Sequence, residues 1–340
     1  MSETEKKEIE ALPSGKALAV SPAKVNFIEI GEDAEGQRID NFLIRIAKGV
    51  PKSHVYRVLR HGEVRVNKKR CTAEYRLALG DVVRVPPMRV AERSAEPRRA
   101  APIADDALPI LFEDQHLLIV DKPAGLACHG GSGIAFGLIE RLRASRPAQP
   151  FLELAHRLDR DTSGVIVVCK TRKALVRLQA SMREGGVEKH YRTLVKGDWV
   201  NDRQHVKLPL FKYVTRDGER RVRVDPENGV PAHSIFTLIR RYGEVSYLDV
   251  ELLTGRTHQI RVHAAGSGFP LVGDDKYGDF DFNKAAEKGA LGIPFRRMFL
   301  HAFRLSFEHP VTHEKLVIEA PLPEACRKLL DTLDASGKAI

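Results

Sequence analysis

The chain contains the stretch His156-Arg157-Leu158-Asp159-Arg160-Asp161-Thr162-Ser163-Gly164, which runs directly into the apolar segment Val165–Val168. A short apolar run of this kind is typical of a buried β-strand, and the small polar residues before it predict a turn. Asp159 therefore stands at the mouth of a buried strand, with arginines beside it. A partly desolvated carboxylate next to cations is suited to act as a nucleophile or base. On residue types alone, a salt-bridged loop without a chemical role remains the alternative.

Further apolar runs surround this segment and predict the fold of the longer part of the chain. Between them lie loops and a few helices, such as Lys173–Arg183, without a strict alternation of strand and helix. This pattern favours an α+β domain over residues 109–330, with a mixed or antiparallel sheet and peripheral helices. The runs are Leu117–Val120, Ile235–Ile239, Tyr247–Leu253 and Leu316–Ile318.

The positive charge of the chain is concentrated near its N-terminus. Residues 38–99 hold sixteen Lys and Arg against six Asp and Glu, whereas the remaining residues hold 39 of each. Residues 36–88 predict two short helices, the second capped by Ser53 and ended by Gly62, followed by a small sheet. A basic module beside a neutral body indicates a docking site for a polyanion. The cations expected to share its surface are Arg57, Arg60, Arg65, Lys68, Lys69 and Arg70.

The flanking segments and the cysteines limit the cellular setting. Residues 1–22 are polar and predict a flexible tail, and residues 89–108 are rich in Pro, Ala, Arg and Glu, which predicts a linker. The four cysteines are far apart in the chain, which is typical of a reducing cytoplasm. With no apolar run of about eighteen residues, the chain predicts neither a signal peptide nor a membrane span.

Three other segments concentrate polar groups next to glycine or proline. The first is Asp121–Leu126, followed by His129–Gly133, whose backbone N–H groups could form an anion-binding nest. The second contains Tyr191 at the start of a strand, where a stacking or proton-transfer role competes with a structural one. The third is Thr254–His263, a predicted helix start at which Arg256 could pair with a phosphate or carboxylate. Its two histidines are five residues apart, which does not match a zinc pair, and no metal site is predicted.

The basic module resembles the S4 RNA-binding domain. The resemblance rests on Gly36-Gln37-Arg38-Ile39-Asp40-Asn41-Phe42-Leu43, on Val64–Arg70 and on Leu79–Val85. It implies a module that grips phosphates without performing chemistry, through Lys and Arg side chains whose binding depends steeply on salt.

The longer domain resembles the RluA-type pseudouridine synthases. The resemblance rests on His156–Gly164, on Gly255-Arg256-Thr257-His258-Gln259-Ile260-Arg261-Val262-His263, on Asp121–Leu126, and on Lys189 with Tyr191. It covers roughly residues 110–320 and implies the pseudouridine synthase fold. It also implies an isomerase that breaks the N1–C1′ bond of uridine, rotates the base and rejoins it through C5. An isomerisation needs no redox cofactor or ATP, so no cofactor is expected.

The same resemblance implies roles for four residues. Asp159 corresponds to the catalytic aspartate, which attacks C1′ or removes the C2′ proton, and the sequence does not choose between these routes. Arg256 is expected to pair with Asp159 and keep it charged. Tyr191 is expected to stack on the uracil, and Arg157 to fill the gap left by the flipped nucleotide.

The expected substrate is a uridine in 23S rRNA, either in the free RNA or in a precursor of the large ribosomal subunit. The S4 resemblance, and the fact that the two resemblances together extend over most of the chain, favour rRNA over tRNA. The catalytic motifs alone do not exclude tRNA. A non-catalytic RNA-binding assembly factor is the second alternative, and the presence of Asp159, Tyr191 and Arg256 together argues against it. A monomer without membrane association is expected, because the basic face needs access to RNA.

Overall fold

The computed structural model describes most of the chain, and it divides into two compact units. The first unit comprises Met1–Arg99 and Arg146–Leu152, and the second comprises Ala100–Ser145 and Glu153–Ile340. The predicted tail and linker lie outside the described residues, apart from Ile9–Ala11 in the tail and three single positions near the linker's end. The described residues are 9–11, 24–47, 50–88, 101, 103, 108–130, 135–215 and 218–337.

The first unit packs two helices against a five-stranded sheet of order β1-β2-β5-β3-β4. Within the predicted tail, strand β1 pairs in parallel with β2, so these three residues do not fit a flexible tail. The second helix begins after Pro51, and Ser53 lies inside it instead of capping it. The elements are β1 (Ile9–Ala11), β2 (Asn26–Glu29), α1 (Ile39–Ile46), α2 (Lys52–Arg60), β3 (Arg65–Val66), β4 (Lys69–Arg70) and β5 (Val82–Val85).

The second unit is built on a ten-stranded sheet with helices around it. Its elements are β6 (Ile110–Glu113), β7 (Leu117–Lys122), α3 (Leu138–Ser145), β8 (Glu153–Leu154), β9 (Ser163–Cys169), α4 (Arg172–Glu184), β10 (Val187–Lys196), β11 (Arg203–Val206), β12 (Leu210–Val214), β13 (Arg220–Val224), β14 (Ser234–Arg241), β15 (Val245–Leu252), α5 (Gln259–Gly266), α6 (Phe280–Glu287), β16 (Leu300–Glu308), β17 (Lys315–Glu319) and α7 (Glu324–Ala335).

The large sheet runs in the order β11-β14-β15-β10-β16-β9-β7-β6, with β17 beside β16 and β8 beside β9. Its neighbours are antiparallel except for β9 and β16, which are parallel. The separate hairpin of β12 and β13 does not belong to this sheet. Mixed strand directions with peripheral helices confirm the predicted α+β class.

Strand β9 lies between β7 and β16, and all seven of its residues are buried. This position explains the continuous apolar run in its sequence, since both faces of the strand are covered. Gly164 has a φ of +113°, and a Cβ atom there would lie 2.2 Å from the carbonyl oxygen of Ala302. Only glycine therefore permits the close approach of β9 to β16 immediately after the Asp159 loop.

Among the helices that the structure describes, none combines the length and the apolar character needed to cross a membrane.

Candidate active site

The loop that carries Asp159 enters the sheet through β9 and is fixed by its own backbone. The N–H of Thr162 donates to the carbonyl oxygen of Asp159 at 3.2 Å, which closes a tight turn. The carbonyl oxygen of Arg160 accepts from the N–H of Gly125 at 2.9 Å. The segment Asp121–Leu126, which begins in the last two residues of β7, therefore holds the loop from the neighbouring strand.

Lys122 strengthens this attachment from inside the protein. Its side chain is fully buried, and Nζ donates to the carbonyl oxygens of Pro123 at 2.9 Å, Leu126 at 2.8 Å and Arg160 at 3.0 Å. Burial lowers the pKa of Lys122 to about 8. Because each N–H bond of the ammonium group has a carbonyl partner, Lys122 ties the two loops together without contacting the cleft.

The Asp159 carboxylate has two cationic or potentially cationic neighbours. Its Oδ2 lies 3.4 Å from Nη1 of Arg261 and 3.9 Å from Nε2 of His258. The prediction that Arg256 pairs with Asp159 is wrong. Arg256 is exposed, and its Nε donates to the carbonyl oxygen of Pro231 at 3.2 Å. It precedes the helix start by three residues, whereas Arg261 lies in the first turn of α5.

The arginines beside Asp159 in the sequence do not pair with it either. Arg160 pairs with Asp161 at 3.1 Å near the surface, and Arg157 is exposed at the edge of the cleft. The charge that faces Asp159 therefore comes from α5, more than ninety residues further along the chain.

Arg261 is held rigidly by acidic neighbours. The guanidinium is only 4% exposed, and its Nε and Nη2 donate to the two carboxylate oxygens of Asp274 at 2.6 and 2.5 Å. Burial opposes a charged guanidinium, but the hydrogen bonds and charge of Asp274, together with Asp159 and Asp275, raise the pKa of Arg261 above its usual range. A bidentate pair fixes the plane of the guanidinium, so Nη1 is presented to Asp159 in a defined direction.

An open cleft lies beside Asp159. Tyr191, on β10, forms part of its wall and packs against the apolar core. Burial, and then the charge of Asp159, raise the pKa of Tyr191, so its phenol is neutral. The cleft is lined by Arg157, Leu158, Asp159, Thr162, Tyr191, Leu252, Gly255, Arg256, His258, Gln259, Ile260, Arg261 and Leu300.

Known proteins resemble this chain in sequence and in fold. Residues 116–266 match the family model of RNA pseudouridylate synthases, and residues 37–83 match that of the S4 domain. The chain is 49% identical over 314 residues to proteins named ribosomal large subunit pseudouridine synthase C from Salmonella typhimurium and Escherichia coli. Those alignments cover 91% of this chain and 97% of each relative.

The chain belongs to the RNA pseudouridine synthase family. Two solved structures extend the likeness to the fold. Human RNA pseudouridylate synthase domain containing 4 has 25% identity and a TM-score of 0.54, covering 66% of this chain and 93% of its own. Human RNA pseudouridylate synthase domain containing 1 has 26% identity and a TM-score of 0.53, covering 69% and 97%.

In the synthase's first unit, the six predicted RNA-binding cations are all exposed. Arg57 and Arg60 lie in the last turn of α2, while Arg65 and Arg70 are paired across β3 and β4. Nε of Arg65 donates to the carbonyl oxygen of Gly62 at 3.3 Å, so its side chain lies against the turn that follows α2. Lys68 and Lys69 belong to the connecting turn and to β4. Their binding to RNA stays a prediction.

Sequence reasoning missed three residues of the site. Arg261 and His258 lie in the motif Gly255–His263, but neither was predicted to contact Asp159, and Tyr277, whose hydroxyl lies 2.8 Å from Nδ1 of His258, was not considered. A usable signal for Arg261 was present, because a charged residue between Ile260 and Val262 on a buried helix needs a buried partner. Nε2 of His263 donates to the carbonyl oxygen of Leu208 at 2.9 Å, and Nδ1 lies 3.0 Å from the hydroxyl of Ser234, so His263 is structural. The predicted anion nest lies mostly outside the described residues.

Proposed function

We propose that the synthase converts uridines of 23S rRNA, in the large ribosomal subunit or its precursor, into pseudouridines. The names of its close relatives support this substrate, as does the S4 domain at its N-terminus. The observation that carries the chemistry is the Asp159 carboxylate, which lines the cleft with Arg261 at 3.4 Å.

Asp159 is the proposed reacting group, as nucleophile at C1′ or as base at C2′. Both routes use a carboxylate, and the guanidinium of Arg261 stands 3.4 Å from it as a countercharge. The N1–C1′ bond breaks, the uracil turns, C5 bonds to C1′, and the proton lost from C5 is balanced by one gained at N1. Ordinary glycosidases use two carboxylates because they admit water, whereas here the cleaved base itself is the acceptor.

Three further residues are proposed to bind and position the RNA during that reaction: Tyr191, Arg157 and Arg256. The half-buried, neutral ring of Tyr191 can stack on the uracil, since it forms an apolar wall of the cleft. Extruding a stacked nucleotide costs roughly a few kcal/mol, and the exposed guanidinium of Arg157 can offset part of that cost by filling the gap. Arg256, exposed at the rim, is suited to an RNA phosphate.

We assign residues 36–88 to the S4 domain, residues 89–108 to the linker and residues 109–330 to the catalytic domain. All four cysteines are free thiols, which supports a reducing cytoplasm as the place of action. A monomer is proposed because RNA must reach both the basic surface of the S4 domain and the cleft.

Tritium release from RNA labelled at uridine C5 tests the substrate. We expect the wild-type protein to release tritium from 23S rRNA, because C5 loses its hydrogen when it bonds to C1′. Transcripts of tRNA serve as the competing substrate, and a large-subunit precursor particle serves as the assembled form. Release from tRNA alone would contradict the rRNA proposal. A protein that binds all three RNAs without releasing tritium would instead be an assembly factor.

The S4 surface is tested by the salt dependence of RNA binding. Replacing Lys68, Lys69 and Arg70 with Gln should weaken affinity and flatten the plot of log K against log salt, by about 0.7 to 0.9 for each lost phosphate contact. Arg327→Gln on α7, also an exposed arginine, is the matched control and should leave the slope unchanged. If the triple variant keeps the wild-type slope, these three cations do not contact RNA.

A further inference from the structure

His258 occupies an unusual backbone position directly before α5. Its φ and ψ of 54° and 21° lie in the left-handed region, which residues other than glycine seldom adopt. Such a conformation persists only where surrounding contacts hold it, and it recurs at functional sites. Here it brings the imidazole into the cleft wall, beside Asp159.

The orientation of the His258 ring is set by a chain of hydrogen bonds. The backbone N–H of Val222, on β13, donates to the hydroxyl of Tyr277 at 2.9 Å. The hydroxyl proton of Tyr277 is then free to point to Nδ1 of His258, 2.8 Å away. With Nδ1 as the acceptor of this bond, the neutral ring carries its proton on Nε2. That proton is on the nitrogen nearest to Oδ2 of Asp159.

Tyr277 also contacts Arg261, the other residue that faces the Asp159 carboxylate. The guanidinium of Arg261 lies 5.1 Å from the centroid of the Tyr277 ring, and the His258 ring meets it edge-on at 5.5 Å. Tyr277 is itself anchored, because its backbone N–H donates to Asp274 at 3.0 Å. One aromatic ring therefore positions both groups that face Asp159.

The charge state of His258 decides whether its ring can orient the carboxylate of Asp159 without neutralising it. Burial lowers the pKa of His258 below its usual range, against the opposing charge of Asp159, so the ring is neutral at neutral pH. The charged groups around it are Asp159, Arg261, Asp274 and Lys276. A neutral N–H can orient a carboxylate without cancelling its charge, and Arg261 already supplies the countercharge.

Both donors face the same oxygen of Asp159. Nη1 of Arg261 and Nε2 of His258 are each closest to Oδ2. Among the residues that the structure describes, none gives Oδ1 a hydrogen bond. We infer that His258 is a positioning residue for the reaction: with Arg261 it holds Oδ2 of Asp159 and leaves Oδ1 as the reacting oxygen. At 3.9 Å the contact is longer than a hydrogen bond, as catalytic contacts often are in a protein without bound substrate.

This inference rests on the proposed role of Asp159 and is tested by steady-state tritium release. We expect His258→Phe, which keeps a ring but removes the N–H, to lower kcat about tenfold, equivalent to roughly 1.4 kcal/mol, with KM little changed. His258→Gln, whose amide can place an N–H toward Asp159, should recover most of that loss. Equal losses in the two variants would overturn the inference, because a merely structural role would not distinguish the donor.

Tyr277→Phe keeps the inference testable if His258→Phe does not fold. It leaves His258 in place but removes the hydroxyl that fixes its ring, and we expect a fall in kcat with unchanged KM. Tyr247→Phe, which removes a hydroxyl from a core-packed tyrosine on β15, is the matched control. An unchanged kcat in Tyr277→Phe would overturn the inference. Inactivity of the wild-type protein would instead overturn the proposed function, so the two failures are distinguishable.

Discussion

Asp159→Asn is expected to abolish turnover while RNA binding stays close to that of the wild type. The amide has the shape of the carboxylate but cannot be ionised, so it can neither attack C1′ nor remove the C2′ proton. We expect tritium release to fall by more than about a thousandfold, as when a nucleophile is removed from a working site. Single-turnover tritium release measures the loss, and a filter-binding titration with the same RNA measures affinity.

Asp161→Asn is the matched control for this experiment. It removes a carboxylate from the same loop, but one that pairs with Arg160 near the surface and does not line the cleft. Its turnover should remain near that of the wild type. If Asp159→Asn keeps most of its activity, or if both variants lose it equally, Asp159 is not the reacting group.

Buried strands were the most predictable part of the fold. Strand β9 is covered on both faces, so its sequence is a continuous apolar run that indicates a strand without further information. Strand β16 escaped prediction because it includes His301, a polar residue that is nevertheless fully buried. His301 is satisfied by the hydroxyl of Ser163 at 2.9 Å and the carbonyl oxygen of Ala320 at 3.1 Å. Hydrogen-bond partners that lie in other segments of the chain cannot be recognised from the sequence alone.

The site, like the fold, was predictable where the signal is local in the sequence and not where it depends on partners elsewhere in the chain. Asp159 can be predicted from its neighbours in the sequence, because its loop lies directly before a buried strand. Its partner Arg261 cannot be predicted in this way. Arg256 and Arg261 belong to one motif, and only the start of α5 at Gln259 decides which of them faces inward. Helix boundaries are the least certain feature of a sequence-based prediction, and a shift of a few residues exchanges the exposed and the buried arginine.

Arg261→Met is expected to cost both activity and stability. The side chain pairs with Asp274, which is fully buried, so removing the cation leaves an uncompensated charge inside the protein. Breaking a buried pair in this way costs about 3–5 kcal/mol. Urea denaturation should report the loss in the free energy of unfolding of the catalytic unit. Tritium release should fall as well, because Asp159 loses its countercharge.

Two further variants separate this role from a general effect of losing an arginine. Arg256→Met removes an exposed guanidinium, so the free energy of unfolding should change by less than about 0.5 kcal/mol. Combining Arg261→Met with Asp274→Asn removes both buried charges, and the double variant should regain part of the lost stability while remaining impaired in turnover. Stability loss in Arg256→Met but not in Arg261→Met would contradict the pairing seen here. Recovery of stability without recovery of turnover would instead separate the two tasks of Arg261, which are neutralising Asp274 in the core and presenting a charge to Asp159 in the cleft.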